Sequence, residues 1–102
     1  MLKSVNIIKD ALEGTKPSSY LDYRLFLKAL YVYGKTYSRG YTYQAFAEDL
    51  GFNATTVMHQ VVNGYRPLSV KAAMQVVKRF DLDSSEAQYF LTLVVFCNAN
   101  FA

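Results

Sequence analysis

The sequence predicts an all-α protein, a bundle of five or six helices, and three observations carry that reading. Apolar residues recur at three- and four-residue spacing through most of the chain. Capping and stop residues break this pattern at intervals suited to short helices. No segment combines sustained period-two alternation with hairpin turn chemistry, so no sheet is expected. The 102 residues fit a single domain spanning 1–102, which can bury one hydrophobic core without disulfides or a metal.

From Leu2 to Leu12 the set Leu2, Val5, Ile7, Ile8, Ala11 and Leu12 has helical spacing. Gly14 and the turn Lys16-Pro17-Ser18-Ser19 close this leading helix, which occupies residues 1–16. Ser19 is the expected cap of a second helix read over SYLDYRLFLKALYVY. There Leu21, Leu25 and Leu30 and the rings of Tyr20, Tyr23, Phe26, Tyr31 and Tyr33 leave a narrow polar face at Asp22, Arg24 and Lys28, so the helix is expected to be largely buried. Gly34 and KTYSRGY read as a loop. Thr42 caps a third helix through Tyr43, Phe46, Ala47 and Leu50, and Gly51 ends it. Asn53 starts a fourth through ATTVMHQVV, closed by Asn63-Gly64 and followed by a turn at Tyr65-Arg66-Pro67. Ser69 caps a helix from Val70 to Phe80, and Asp83 or Ser84 opens the mostly apolar SEAQYFLTLVVFCNA.

Composition removes several classes of function. With 52% apolar and 19% charged residues the chain is too apolar for disorder, yet no uncharged apolar run approaches the roughly 20 residues of a membrane span. The segment MLKSVNIIKDALEG carries Lys3, Lys9, Asp10 and Glu13 and lacks the apolar stretch and cleavage site of a secretory signal. A cytoplasmic protein with no membrane partner is therefore expected. Cys97 is the only cysteine and sits in an apolar stretch, where a buried packing thiol is expected. His59, the only histidine, has no Cys, Asp or Glu within one helical turn, which argues against metal or acid–base chemistry there. Asp81, Asp83 and Glu86 lack the glycine and bidentate glutamate of a calcium loop and read as capping charges of the last helix. No nucleophile, base and stabiliser can be assembled, so neither enzymatic activity nor a cofactor is expected.

Charge is distributed unevenly. The net charge is only +3, but no acidic residue lies between Asp49 and Asp81, while Arg66, Lys71, Lys78 and Arg79 do. Such a stretch suits a phosphate-facing surface. Residues 42–63 add the demands of a helix-turn-helix. Ala47 is small enough for close helix contact, and Gly51, four residues on, permits a left-handed turn. Phe52, Val57, Met58, Val61 and Val62 form the expected buried stripe, which turns Asn53, Thr55, Thr56, His59, Gln60 and Asn63 to the opposite face. Side chains of these types can pair with base edges in the major groove of duplex DNA. Tyr37, Tyr41, Tyr43 and Tyr65, read in loops or at helix starts, are candidate hydroxyl donors to phosphate, whereas most other tyrosines have core spacing.

The strings PSSYLDYRLFLKALY, YTYQAFAEDLGF, VVNGYRPLS and SSEAQYFLTLVVFCNA, in this order and spacing, resemble the N-terminal part of the Bdellovibrio and Fibrobacter type family of uncharacterised proteins. The resemblance runs from about Pro17 to Ala99, leaving the leading helix outside it. In that family a repressor-like helix-turn-helix precedes a C-terminal domain of unknown function. The resemblance implies a helix-turn-helix of the Cro and phage-repressor kind and a transcriptional regulator. It places groove-reading positions on Asn53, Ala54, Thr55 and His59, and Tyr43 near a phosphate. The interval from Gly51 to Gly64 is one residue longer than is usual in that wider group, so the recognition helix is expected to end differently.

The expectation is sequence-specific binding of double-stranded DNA. Asn53, Ala54, Thr55, Thr56, His59, Gln60 and Asn63 are the candidate base readers, and Thr42, Tyr43, Arg66 and Lys71 the candidate phosphate contacts. A homodimer is expected because one recognition helix covers few base pairs. Val94, Val95, Phe96, Phe101 and the leading helix are the candidate dimer surfaces. The alternative is a helical protein-interaction module that has this fold without DNA binding.

Overall fold

The computed structural model describes residues 4–52 and 56–99, and among these it contains six α-helices and no strand. They are α1 (Ser4–Gly14), α2 (Tyr23–Tyr37), α3 (Tyr43–Asp49), α4 (Val57–Val62), α5 (Val70–Phe80) and α6 (Ser84–Ala99), with one 3₁₀ turn at Pro17–Ser19. No described helix is long and apolar enough to cross a membrane. Helix α2 is the hub, in contact with α1, α3, α4 and α6.

The start of α2 corrects the expected Ser19 cap. Pro17 fixes a 3₁₀ turn closed by the Tyr20 amide on the Pro17 carbonyl at 3.0 Å, and the chain then runs extended to Asp22. The Asp22 carboxylate accepts from the Arg24 amide at 2.9 Å and so caps the helix. Leu21 therefore precedes the helix and is 85% exposed, and Leu25 is 55% exposed. Only Tyr23, Phe26, Leu27, Leu30 and Gly34 of α2 are buried, which is a single stripe rather than the largely buried helix expected. Nor is Gly34 in a loop. The helix continues through it because the Tyr41 ring folds back onto its surface, where a Cβ on Gly34 would lie 2.5 Å from Tyr41 Cε2.

The helix ends follow a common pattern. Beyond α3, the Gly51 amide donates to Glu48 O and the Phe52 amide to Ala47 O, both at 2.9 Å. These are the paired bonds of a Schellman motif, and Gly51 supplies its left-handed residue with φ +84°. The Gly64 and Tyr65 amides close α4 in the same way on Val61 O and Gln60 O. At the end of α5 the left-handed position is held by Asp81, φ 54°. Thr42 and Ser69 cap α3 and α5 through their hydroxyls, as expected.

At α6 the three acidic residues divide their roles. Asp83 accepts from the Glu86 amide at 2.9 Å and caps the helix. Asp81 instead terminates α5, and Glu86 takes the Ser18 amide at 3.0 Å and its hydroxyl at 2.7 Å. Helix α6 sends Phe90, Leu93 and Val94 into the core, where Phe90 meets Phe26 and Tyr23 edge-on. Cys97 is half-buried, its sulfur 3.7 Å from Leu21 O. Of the expected dimer surfaces, Val94 is fully buried, the inner face of α1 is committed to the core by Ile8 and Ala11, and Phe101 lies outside the described residues.

A polar circuit closes the core. The Tyr23 hydroxyl accepts from the Leu68 amide at 3.0 Å and donates to Asn98 Oδ1 at 2.9 Å, while Asn98 Nδ2 donates to Leu68 O at 2.8 Å. The end of α6 is thus tied to α2 and to the segment leading into α5, with each buried group satisfied.

The expected stripe of α4 is refined in depth. Met58, Val61 and Val62 are buried, whereas Phe52 and Val57 are only partly so. Met58→Ala is expected to cost about 2–5 kcal/mol of stability, and Val57→Ala about 1 kcal/mol. Denaturant unfolding of the two variants checks this; equal losses would contradict the depth assigned to Met58.

Candidate nucleic-acid interface

Of the expected base readers, Asn53, Ala54 and Thr55 lie outside the described residues. The others gather on the outer side of α4. Thr56 and His59 are exposed, Gln60 is half-buried, and Asn63 is exposed at the C-terminal end. Arg66 follows just beyond the Gly64 turn, and its Nη1 donates to Gln60 Oε1 at 3.2 Å. Asn63 turns inward along its own helix, donating from Nδ2 to His59 O at 2.8 Å. Gln60 and Asn63 are therefore already engaged within the chain.

Tyr43 is less a surface donor than a buttress. Its ring stacks on Tyr31 of α2 with centroids 3.9 Å apart and planes 9° from parallel, and the His59 ring stands edge-on to it at 5.1 Å. Burial raises the Tyr43 phenol above its ordinary value, and the Asn63 amide beside it partly offsets that rise. A column of rings thus connects α2, α3 and α4. Thr42 accepts from the Ala45 amide at 3.1 Å, which leaves its hydroxyl proton available to a phosphate. Lys71 is exposed on the first turn of α5.

Other sequence readings are corrected here. Tyr41, a candidate phosphate donor, is buried, and its hydroxyl donates to Asp49 Oδ2 at 2.5 Å. Burial, then the Asp49 carboxylate, push this phenol far above its ordinary value. Tyr37 belongs to α2 rather than to a loop, and with Tyr65 it is exposed. Arg79 is exposed but anchored, its Nε donating to Asp49 O at 2.8 Å.

Three positioning residues escaped the sequence reading. Arg24 Nε donates to Val61 O at 3.0 Å, Gln75 Nε2 to Gly51 O at 2.5 Å, and Arg79 Nε to Asp49 O. Their acceptors are backbone carbonyls far away in sequence, so no side-chain motif could reveal them. Together they hold α3, its turn and α4 against α2 and α5.

Asp49 completes the electrostatics. It is 6% exposed and turned into the protein toward Tyr41, so the acid nearest α4 in sequence adds little negative charge to the outer surface, while Glu48 stays exposed on α3. Among the described residues, no three His, Cys, Asp or Glu side chains gather as a metal-ligand group. Comparisons of the chain with protein-family models, with curated proteins and with solved structures found no match.

Burial raises the Asp49 pKa above 3.8, against the opposing effects of the Tyr41 hydrogen bond and Arg79. The folded state thus holds this proton more tightly than the unfolded chain. The Asp49 contribution to stability is present in full below 3.8 and is lost as pH rises through the raised value. Asp49→Asn retains an acceptor for Tyr41 and is expected to remove that component of the pH dependence. Asp49→Ala leaves the Tyr41 hydroxyl unsatisfied and is expected to cost about 1–3 kcal/mol. Thermal melts across acid pH check both. An unchanged pH profile for Asp49→Asn would contradict the assignment.

Proposed function

We propose that this chain is a transcriptional regulator that binds double-stranded DNA sequence-specifically, using α3 and α4 as a helix-turn-helix of the Cro and phage-repressor kind. The observation that carries the reading is the outer side of α4. His59 and Gln60 stand there on a helix held by its neighbours, with Thr56 at its start, Arg66 bonded to Gln60 from beyond its end, and the Asp49 carboxylate turned inward. A recognition helix needs this combination of a fixed axis and hydrogen-bonding side chains free of negative charge.

Within this reading the roles differ from residue to residue. Thr56 and His59 contact base edges. Gln60 presents Arg66 to the DNA through their hydrogen bond, and Asn63 supports the helix end. Arg66, Lys71 and Lys78 neutralise phosphates, with Thr42 donating to one more. Tyr43 sets the height of α4 through the ring column. The second reading, a protein-interaction module, is favoured by the exposed apolar side chains Leu21, Val95 and Phe96.

Selection of duplexes from a random pool, followed by titrations over a range of salt, tests the proposal. His59→Ala and Thr56→Ala are each expected to lose about 1–3 kcal/mol on the selected duplex, Thr56→Ala with an almost unchanged melting temperature and His59→Ala with a loss of about 0.5–1.5 kcal/mol in stability from its edge-on contact with Tyr43. Arg66→Ala and Lys71→Ala are each expected to weaken all duplexes alike and lower the salt slope by about one unit. Variants at His59 and Thr56 that bind the selected duplex as tightly as the parent would remove α4 as the reader.

A further inference from the structure

We propose that the hollow between the α3–α4 turn and α5 is an anion site that takes a phosphate group. The hollow has a volume of about 430 Å³ and is lined by Leu50, Gly51, Gln75, Lys78 and Arg79. Gln75, Lys78 and Arg79 stand three and four residues apart on α5, so one helix face brings an amide, an ammonium and a guanidinium to one opening. The turn opposite makes room for them. Gly51 holds φ +84°, and a Cβ there would lie 2.9 Å from Gln75 Nε2, so the missing side chain is what lets the amide reach the turn.

These donors are only partly used. Gln75 Nε2 gives one proton to Gly51 O and Arg79 Nε gives its one to Asp49 O. The second Gln75 amide proton, both Arg79 Nη groups and the Lys78 ammonium remain without an acceptor among the described residues. No acidic side chain lines the hollow, and among the described residues neither cation forms an ion pair. Asp49, the acid nearest the turn in sequence, turns its carboxylate to the Tyr41 hydroxyl. Charge in the last turn of α5 also suits the negative end of that helix, but that role calls for neither the hollow nor the Gln75 amide.

The donor set favours phosphate over carboxylate. A carboxylate offers two oxygens, which one guanidinium satisfies as a fork, whereas three donor groups of different kinds around an opening suit the tetrahedral oxygens of a phosphate. Gln75, Lys78 and Arg79 are exposed, and ion pairs in contact with water are weak, so the Kd for inorganic phosphate is on the order of 1–10 mM. The phosphate group can come from the backbone of the duplex proposed above or from a separate phosphorylated ligand, and the site itself does not rest on the DNA reading. Because Gln75 and Arg79 also hold the turn, its occupancy bears on the element that sets α4.

Titration of isotope-labelled protein with inorganic phosphate over about 0.1–50 mM, exchanged for chloride at constant ionic strength, tests the site without DNA. Saturable amide shifts centred on Gly51, Gln75, Lys78 and Arg79 are expected, with acetate giving a markedly weaker response. Lys78→Gln touches neither anchor of the turn and is expected to weaken phosphate about fivefold with the melting temperature retained. Lys71→Gln, on the first turn of α5 and outside the hollow, is expected to titrate like the parent. Shifts that never saturate, equal saturation by acetate, or a Lys78→Gln variant that matches the parent would overturn the proposal. Repeating the titration on the complex with the selected duplex identifies the source: a hollow already filled and unresponsive takes a backbone phosphate, and one that still titrates takes a separate ligand. A chain that selects no duplex yet keeps the phosphate response contradicts the DNA reading alone.

Discussion

The orientation of α4 depends on three side-chain donors that claim backbone carbonyls of the α3–α4 segment. Arg24 takes Val61 O from the α2 side, while Gln75 and Arg79 of α5 take Gly51 O and Asp49 O. A six-residue helix has little stability of its own, because nucleation uses up most of what its few hydrogen bonds return. Packing of Met58, Val61 and Val62 fixes its depth, but apolar contact alone is not directional. Hydrogen bonds from charged or amide groups to specific carbonyls supply the missing direction. A helix held in this way can present the same polar atoms to a partner without an ordering cost at the moment of binding.

The same arrangement links the proposed interface to the rest of the molecule. Tyr31, Tyr43 and His59 carry contact from the buried side of α2 to the outer side of α4. The Tyr23–Asn98–Leu68 circuit fixes the end of α6 to the segment that follows Arg66. That circuit thereby anchors the segment that follows the face proposed for DNA.

Features governed by near neighbours were legible in the sequence. Thr42, Ser69 and Asp83 cap within three residues of themselves, and Gly51 and Gly64 close helices over the preceding turn. The burial of Met58, Val61 and Val62 followed from periodicity alone. What failed depended on residues distant in the chain or on competition between adjacent signals. Pro17 and Asp22 together displaced the start of α2 from Ser19, which left Leu21 and Leu25 in solvent. Gly34 stayed helical with the Tyr41 ring packed on its surface, and Tyr41 is buried with its hydroxyl donating a hydrogen bond to Asp49. Within the cationic stretch Arg79 is anchored through Nε to Asp49 O, a contact that no local pattern announces.

The measurement that bears most directly on the interface is amide chemical-shift mapping of isotope-labelled protein titrated with a duplex selected from a random pool. Shifts concentrated at Thr56, His59, Gln60, Arg66 and Lys71, with smaller ones at Thr42, are the predicted result. A titration in which these amides stay still while Leu21 and the exposed face of α6 move, or a selection that enriches no duplex, would contradict α4 as the reading helix.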